Sequence, residues 1–131
     1  MYMLDTNICI YIIKKHPMSV AERFEEIGED QLCISVVTFA ELQYGVERSS
    51  SKKLNQDILD DFIFRLNVLL WDEDAGKHYA KIRNHLERKG TPIGTMDLMI
   101  AAHALSEKCV LVTNNLKEFS RVPHLKVENW V

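Results

Sequence analysis

Four near-continuous apolar runs punctuate the chain, at residues 1–4, 31–37, 68–71 and 108–113. None alternates polar with apolar positions, which is the pattern of parallel strands covered by helices on both faces. Residues 125–130 read as a fifth strand at the sheet edge. The intervening segments carry helical periodicity. Ser19 and Glu22, just after Pro17, fit a capping box that opens a helix through Ile27, with Gly28 as its stop. Leu54, Ile58, Leu59, Phe62, Ile63 and Leu66 recur at helical spacing. Asp72 is placed to cap a helix that runs to Lys89 and ends at Gly90, with Pro92 beyond. A last long helix is predicted over 95–107. Alternation of this kind predicts one α/β domain over residues 1–131 with a mainly parallel sheet.

Composition narrows the class without naming a function. The 131 residues are 47% apolar and 27% charged, which excludes a disordered chain. A chain of this length buries roughly two-thirds of its surface, so it needs no disulfide or zinc staple. No apolar run approaches the roughly 18 residues of a membrane span. The start, Met1-Tyr2-Met3-Leu4-Asp5, lacks a basic stretch and does not read as a signal peptide. Cys9, Cys33 and Cys109 are odd in number and far apart, and read as free thiols of a reduced, cytoplasmic protein.

The net charge of -3 gives no global sign of a nucleic-acid partner, but its distribution is uneven. Asp57, Asp60, Asp61, Asp72, Glu73 and Asp74 face Arg65 alone. Lys77, Lys81, Arg83, Arg88 and Lys89 follow, together with His78 and His85. The basic run reads either as a solvated helix face or as an RNA-contacting stripe.

Four acids share one structural position. Asp5 ends the first predicted strand, Glu41 and Glu118 follow the second and fourth, and Asp97 lies in the first turn of the last long helix. Each has an ordinary explanation: Asp5 or Thr6 as an N-cap, Thr38 and Glu41 as a capping box, Asp97 as an acid favoured by the helix dipole. Their joint placement changes the balance. In an open parallel sheet the carboxyl ends of the strands form one edge, where ligands bind. Carboxylates gathered there repel one another unless a cation intervenes. Oxygen-only ligation by few residues suits Mg²⁺ or Mn²⁺, and such an ion supports phosphodiester hydrolysis.

Five segments in order carry a family resemblance: residues 3–7 (Met-Leu-Asp-Thr-Asn), 34–45, 92–103, 111–119 and the closing Glu128-Asn-Trp130. Over essentially its whole length the chain resembles the PIN-domain ribonucleases, and within them the VapC toxins of bacterial toxin–antitoxin pairs. The resemblance implies a three-layer α/β/α fold, Mg²⁺- or Mn²⁺-dependent RNA cleavage, inhibition by a VapB antitoxin, and a homodimer. Asp5, Glu41 and Asp97 fall on the family's acidic triad, with Asp5 and Asp97 as direct metal ligands and Glu41 holding a metal water or a second ion. Many members carry an aspartate where this chain has Asn115. The fourth position therefore falls to Asn115 or Glu118, or the site has three acids. Thr6 and Thr113 are expected as supporting hydroxyls. The nearest subgroup implies the initiator tRNA, cut in its anticodon stem-loop, as substrate.

Other readings are weaker. A haloacid-dehalogenase-type phosphatase needs a second acid two residues after Asp5, where this chain has Asn7. A catalytically silent PIN-like binding module conflicts with the intact triad. His78 and His85 are expected on the surface of the basic stripe, His103 to be packed, and Met3, Met96 and Met99 to fill the core. Lys14, Lys15, Arg48, Lys52 and Lys53 are candidates for holding RNA phosphates beside the acids.

Overall fold

Five parallel strands in the order β3-β2-β1-β4-β5 form the centre of the molecule, in a computed structural model that describes residues 1–131. They are β1 (Tyr2–Leu4), β2 (Leu32–Ser35), β3 (Asn67–Leu69), β4 (Val110–Val112) and β5 (Val127–Glu128). The helices are α1 (Thr6–Lys14), α2 (Met18–Glu26), α3 (Val36–Glu47), α4 (Lys52–Phe64), α5 (Glu73–Arg88), α6 (Thr95–Ser106) and α7 (Leu116–Phe119). No helix is long and apolar enough to cross a membrane.

The apolar strands divide their side chains by the two-residue period of the pleat. Met3, Cys33 and Leu111 point to one face, into a 14-residue core with Ile82, Leu86, Ile100 and Phe119. Leu4, Leu32, Ile34 and Val112 point to the other, into a second core of 14 residues with Ile8, Phe24, Leu59 and Phe62. The result is the expected α/β/α sandwich. From β1 the chain moves outward through β2 and β3, then returns to add β4 and β5 on the other side. The direction of winding therefore reverses between β1 and β4, where their registers run Tyr2–Val110, Met3–Leu111 and Leu4–Val112.

Several boundaries differ from the sequence reading, each for a local reason. The second strand stops at Ser35 rather than residue 37, because the Ser35 Oγ accepts from the Val37 amide at 3.1 Å and starts α3 there. That cap replaces the expected Thr38–Glu41 box: Thr38 lies buried inside the helix and Glu41 sits in its second turn. The Ser19–Glu22 box is not made either, since α2 starts two residues earlier than that cap requires, with Pro17 as its N-cap. The third strand ends at Leu69, before Trp71, whose indole N–H donates to the Met99 carbonyl at 3.0 Å. The edge strand is only Val127–Glu128. Apolar patterning did not announce α1, which is rich in β-branched isoleucine; Asp5, accepting from the Ile8 amide at 2.9 Å, turns that run helical.

The caps expected around α5 are present. Asp72 accepts from the Ala75 amide at 3.1 Å. At the far end Gly90 adopts φ +70°, while the Thr91 amide reaches back to Leu86 and that of Gly90 to Glu87. This is a Schellman ending that an L-side chain would strain.

Leu111 lies at the centre of one sheet face with no exposed surface. Leu111→Ala should cost about 3 kcal/mol, read as a lower urea midpoint with an unchanged slope.

Candidate active site

The reversal of winding leaves a crevice at the carboxyl ends of β1 and β4, the place where open α/β sheets bind ligands. Asp5 leaves β1 into it and is 5% exposed. Burial raises the pKa of its carboxyl; hydrogen bonds from the Thr113 hydroxyl and the Ile8 amide pull the other way, and the charge of Glu41 adds to the rise. Thr113, at the end of β4, is oriented for this: its Oγ1 accepts from the Asn115 amide at 2.9 Å, which leaves its own proton to donate.

Glu41 comes from α3 and is held across the crevice by Thr6, whose Oγ1 donates to Glu41 Oε1 at 2.6 Å and lies 3.4 Å from Thr38 Oγ1. The start of α3 is itself fixed. Ser35 Oγ, its cap, lies 2.7 Å from Nδ1 of the buried His103 on α6. Burial lowers the pKa of that imidazole, outweighing Glu107, Asp72 and the Leu70 backbone. The imidazole and the Ser35 hydroxyl share this hydrogen bond, and α3 is thereby tied to α6. This brace joins the helix of Glu41 to the helix of Asp97. Sequence reasoning placed His103 only as a packed residue; the signal available was that a buried imidazole requires a partner.

Asp97 is the third residue of α6. Its pKa is pushed up to about 6, first by burial, then by a hydrogen bond with the Glu118 carboxyl and that group's charge, with Asp5 and Glu41 adding to it. A neighbouring like charge disfavours the ionised form of a carboxyl, which is the direction seen at Asp97. Glu118, on α7, therefore stands against Asp97, whereas Asn115 contributes its backbone amide to Thr113. No lysine, arginine or histidine lies within 4.0 Å of any of the four acids.

The donor set is all oxygen and its charge is uncompensated, which fits a hard divalent cation. No three of these groups form a ready-made ligand cage. An ion held here would take one or two carboxylates and fill the rest of its shell with water, as Mg²⁺ does.

A cavity of about 670 Å³ opens over Glu41, with Thr6, Tyr44, Arg48 and Met96 in its wall. Met96 is 43% exposed there, not a core filler as expected. Of the lysine and arginine candidates, Arg48 alone lines this space. Lys52 and Lys53 pair with Glu47 and Asp57, and Lys14 borders a separate groove that also touches Glu41.

The α5 stripe is not gathered with the acids. Lys77, Lys81, Arg83, Arg88 and Lys89 are exposed, and Arg83 is engaged by Glu87 at 3.1 Å and Tyr79 at 3.0 Å. Lys81, His78 and His85 border a different cavity beside Leu105, near the opposite end of α6 from Asp97.

The PIN-domain family model matches residues 2–125. The Ribonuclease VapC2 of Rickettsia felis is 48% identical over 130 residues, covering 98% of this chain and 97% of the relative. The chain belongs to the VapC branch of the PIN-domain ribonucleases. The tRNA(fMet)-specific endonuclease VapC of Salmonella typhimurium is 47% identical over 129 residues, again covering 98% and 97%. Among solved structures, VapBC2 of R. felis bound to a DNA fragment from its promoter superposes with a TM-score of 0.93 at 46% identity, covering 99% of this chain and 98% of that one. VapBC-1 of nontypeable Haemophilus influenzae gives 0.90 at 42% identity, covering 98% and 97%. For this VapC ribonuclease the crevice holding Asp5, Glu41, Asp97 and Glu118 is thus the candidate site of RNA hydrolysis.

Two measurements test the geometry. Thr6→Val removes the 2.6 Å bond that orients Glu41. It should lower kcat/KM about ten-fold, the scale of one misplaced catalytic group, while Thr6→Ser restores it. The raised pKa of Asp97 also has a sign for stability. Below about pH 4 the carboxyl is protonated in folded and unfolded chains alike; above about pH 6 it is charged in both, and the crowded folded state bears the cost. In EDTA at pH 7.5, Asp97→Asn should therefore melt a few degrees above the wild type, with the gap closing toward pH 4. Added Mg²⁺ should raise the melting point of the wild type and leave the variant unmoved.

Proposed function

We propose that this ribonuclease is the toxin of a type II toxin–antitoxin pair, acting in the cytoplasm on the initiator tRNA. Cleavage falls in the anticodon stem-loop and stops translation, and a VapB-type antitoxin neutralises it. The whole of residues 1–131 works as one PIN domain, paired as a homodimer. The observation that carries the reading is the set of four carboxylates without a basic partner at the point where the sheet reverses its winding. The substrate rests on the 47% identical Salmonella relative, named for tRNA(fMet). The antitoxin rests on the similar solved structures, which are VapBC complexes.

Asp5 and Asp97 are the residues that hold Mg²⁺, or Mn²⁺ in its place, with Glu41 and Glu118 beside them. The bound ion supplies positive charge opposite the phosphoryl oxygens and makes nearby water more acidic. The chain does the rest. Thr113 orients Asp5 and favours its ionised form against the effect of burial. Thr6 fixes the Glu41 carboxylate, which is placed to accept the proton of the attacking water as the new P–O bond forms and the old one breaks. Asp97 would hold the ion as a carboxylate, and its pKa is pushed up to about 6, so activity at limiting Mg²⁺ should rise with pH through about 6.

Purified protein freed of antitoxin should cut initiator tRNA in Mg²⁺, in preference to elongator tRNAs, and stop in EDTA. Asp5→Asn and Asp97→Asn should remove cleavage while the fold persists by circular dichroism. Sequencing the RNA ends identifies the cut. Unchanged cleavage by a folded Asp97→Asn chain would contradict the metal assignment, and equal cutting of all tRNAs would contradict the substrate.

A further inference from the structure

The face of α3 that carries Glu41 goes on to present Tyr44 and Arg48, three and seven residues later. At 1.5 Å per residue, Arg48 lies about 10 Å along the helix from Glu41. All three line the 670 Å³ cavity, and Met96, the chain neighbour of Asp97, closes it from α6. Tyr44 is 64% exposed, and the Arg48 guanidinium lies 5.6 Å from its ring centroid. Glu47 alongside is already paired with Lys52 at 3.2 Å, while Arg48 has no carboxylate partner. Gly45, one residue after Tyr44, lines the same cavity, and a Cβ there would meet nothing within 4 Å.

An exposed aromatic ring backed by a free cation, continuous with an acidic hydrolytic crevice, has a specific chemical fit. Unpaired RNA bases stack on aromatic faces, and the adjoining phosphate takes a guanidinium. We propose that Tyr44 and Arg48 form a subsite for an unpaired nucleotide next to the scissile phosphate: the base stacks on Tyr44 and its phosphate meets Arg48. The pair selects looped-out or single-stranded RNA, since a base held in a duplex cannot reach the ring. Helix-end electrostatics alone give Arg48 a reason to sit at the end of α3 but give Tyr44 none to face water. This inference rests on the reading of the crevice as a ribonuclease site. It names how that site chooses among RNA segments, whichever tRNA is cut.

The test is steady-state cleavage of a hairpin RNA with 2-aminopurine in the loop, in Mg²⁺. Tyr44→Ala should lower kcat/KM about ten-fold and abolish quenching of the loop 2-aminopurine, whereas Tyr44→Phe keeps both. Arg48→Gln should weaken binding and reduce the slope of log affinity against log salt by about one. In both alanine and glutamine variants the Mg²⁺ concentration for half-maximal rate should stay unchanged, which separates this subsite from damage at the acids. Gly45→Leu is an independent probe. It should favour the helix and raise the melting point, yet cut kcat/KM by filling part of the cavity that Tyr44 and Arg48 line.

Cleavage by Tyr44→Ala within about two-fold of the wild type would overturn the proposal, because a lost base stack is worth more than that. So would a Tyr44→Phe as poor as Tyr44→Ala, or variants that cleave normally and lose only a protein partner. A wild-type chain that cleaves no RNA would remove the ribonuclease reading itself, and the subsite with it.

Discussion

Repulsion among carboxylates organises this molecule's active end. Asp5, Glu41, Asp97 and Glu118 come from four different segments, yet converge where the sheet reverses direction between β1 and β4. None is neutralised by a basic side chain, and burial together with Glu118, Asp5 and Glu41 pushes the pKa of Asp97 up to about 6. A fold gains nothing in stability from this arrangement. Like charges crowded at a half-buried position weaken the native state, and such local cost is characteristic of sites kept for chemistry.

The rest of the structure holds that arrangement in place. The two apolar cores, one on each sheet face, supply the stability that the crevice gives up. Finer positioning comes from hydroxyl groups. Thr113 serves Asp5, Thr6 serves Glu41, and Ser35 links the start of α3 to His103 on α6. Hydroxyls suit this role because they orient a carboxylate without cancelling its charge, as a lysine or arginine would. The acids remain available to a cation because their neighbours are neutral.

Much of this was legible in the chain. Unbroken apolar runs marked strands covered on both sides, and acids at the ends of those runs marked the crevice before any geometry was known. The Asp72 cap and the Gly90 ending of α5 followed from residue chemistry alone. What escaped were matters of competition between neighbours. Ser35 outcompeted Thr38 for the cap of α3, shortening β2 and freeing Glu41 to face the site. The chain left the fourth position open between Asn115 and Glu118; the Glu118 carboxyl lies against Asp97, while the Asn115 amide serves Thr113. The basic run on α5 reads in the sequence either as a solvated face or as an RNA contact, and it lies apart from the acids. The cation that lines the cavity is Arg48, a single residue in an unremarkable stretch.

The proposed cation site implies that Asp97, whose pKa is pushed up to about 6, gives up its proton when a divalent ion binds. Calorimetric titration of Mn²⁺ into the wild-type chain near pH 6, repeated in two buffers of different ionisation enthalpy, measures this directly. Binding should be saturable and release a fraction of a proton per ion near pH 6, falling away by pH 7.5 and absent in Asp97→Asn. Binding with no proton released near pH 6, or release that persists in Asp97→Asn, would contradict it.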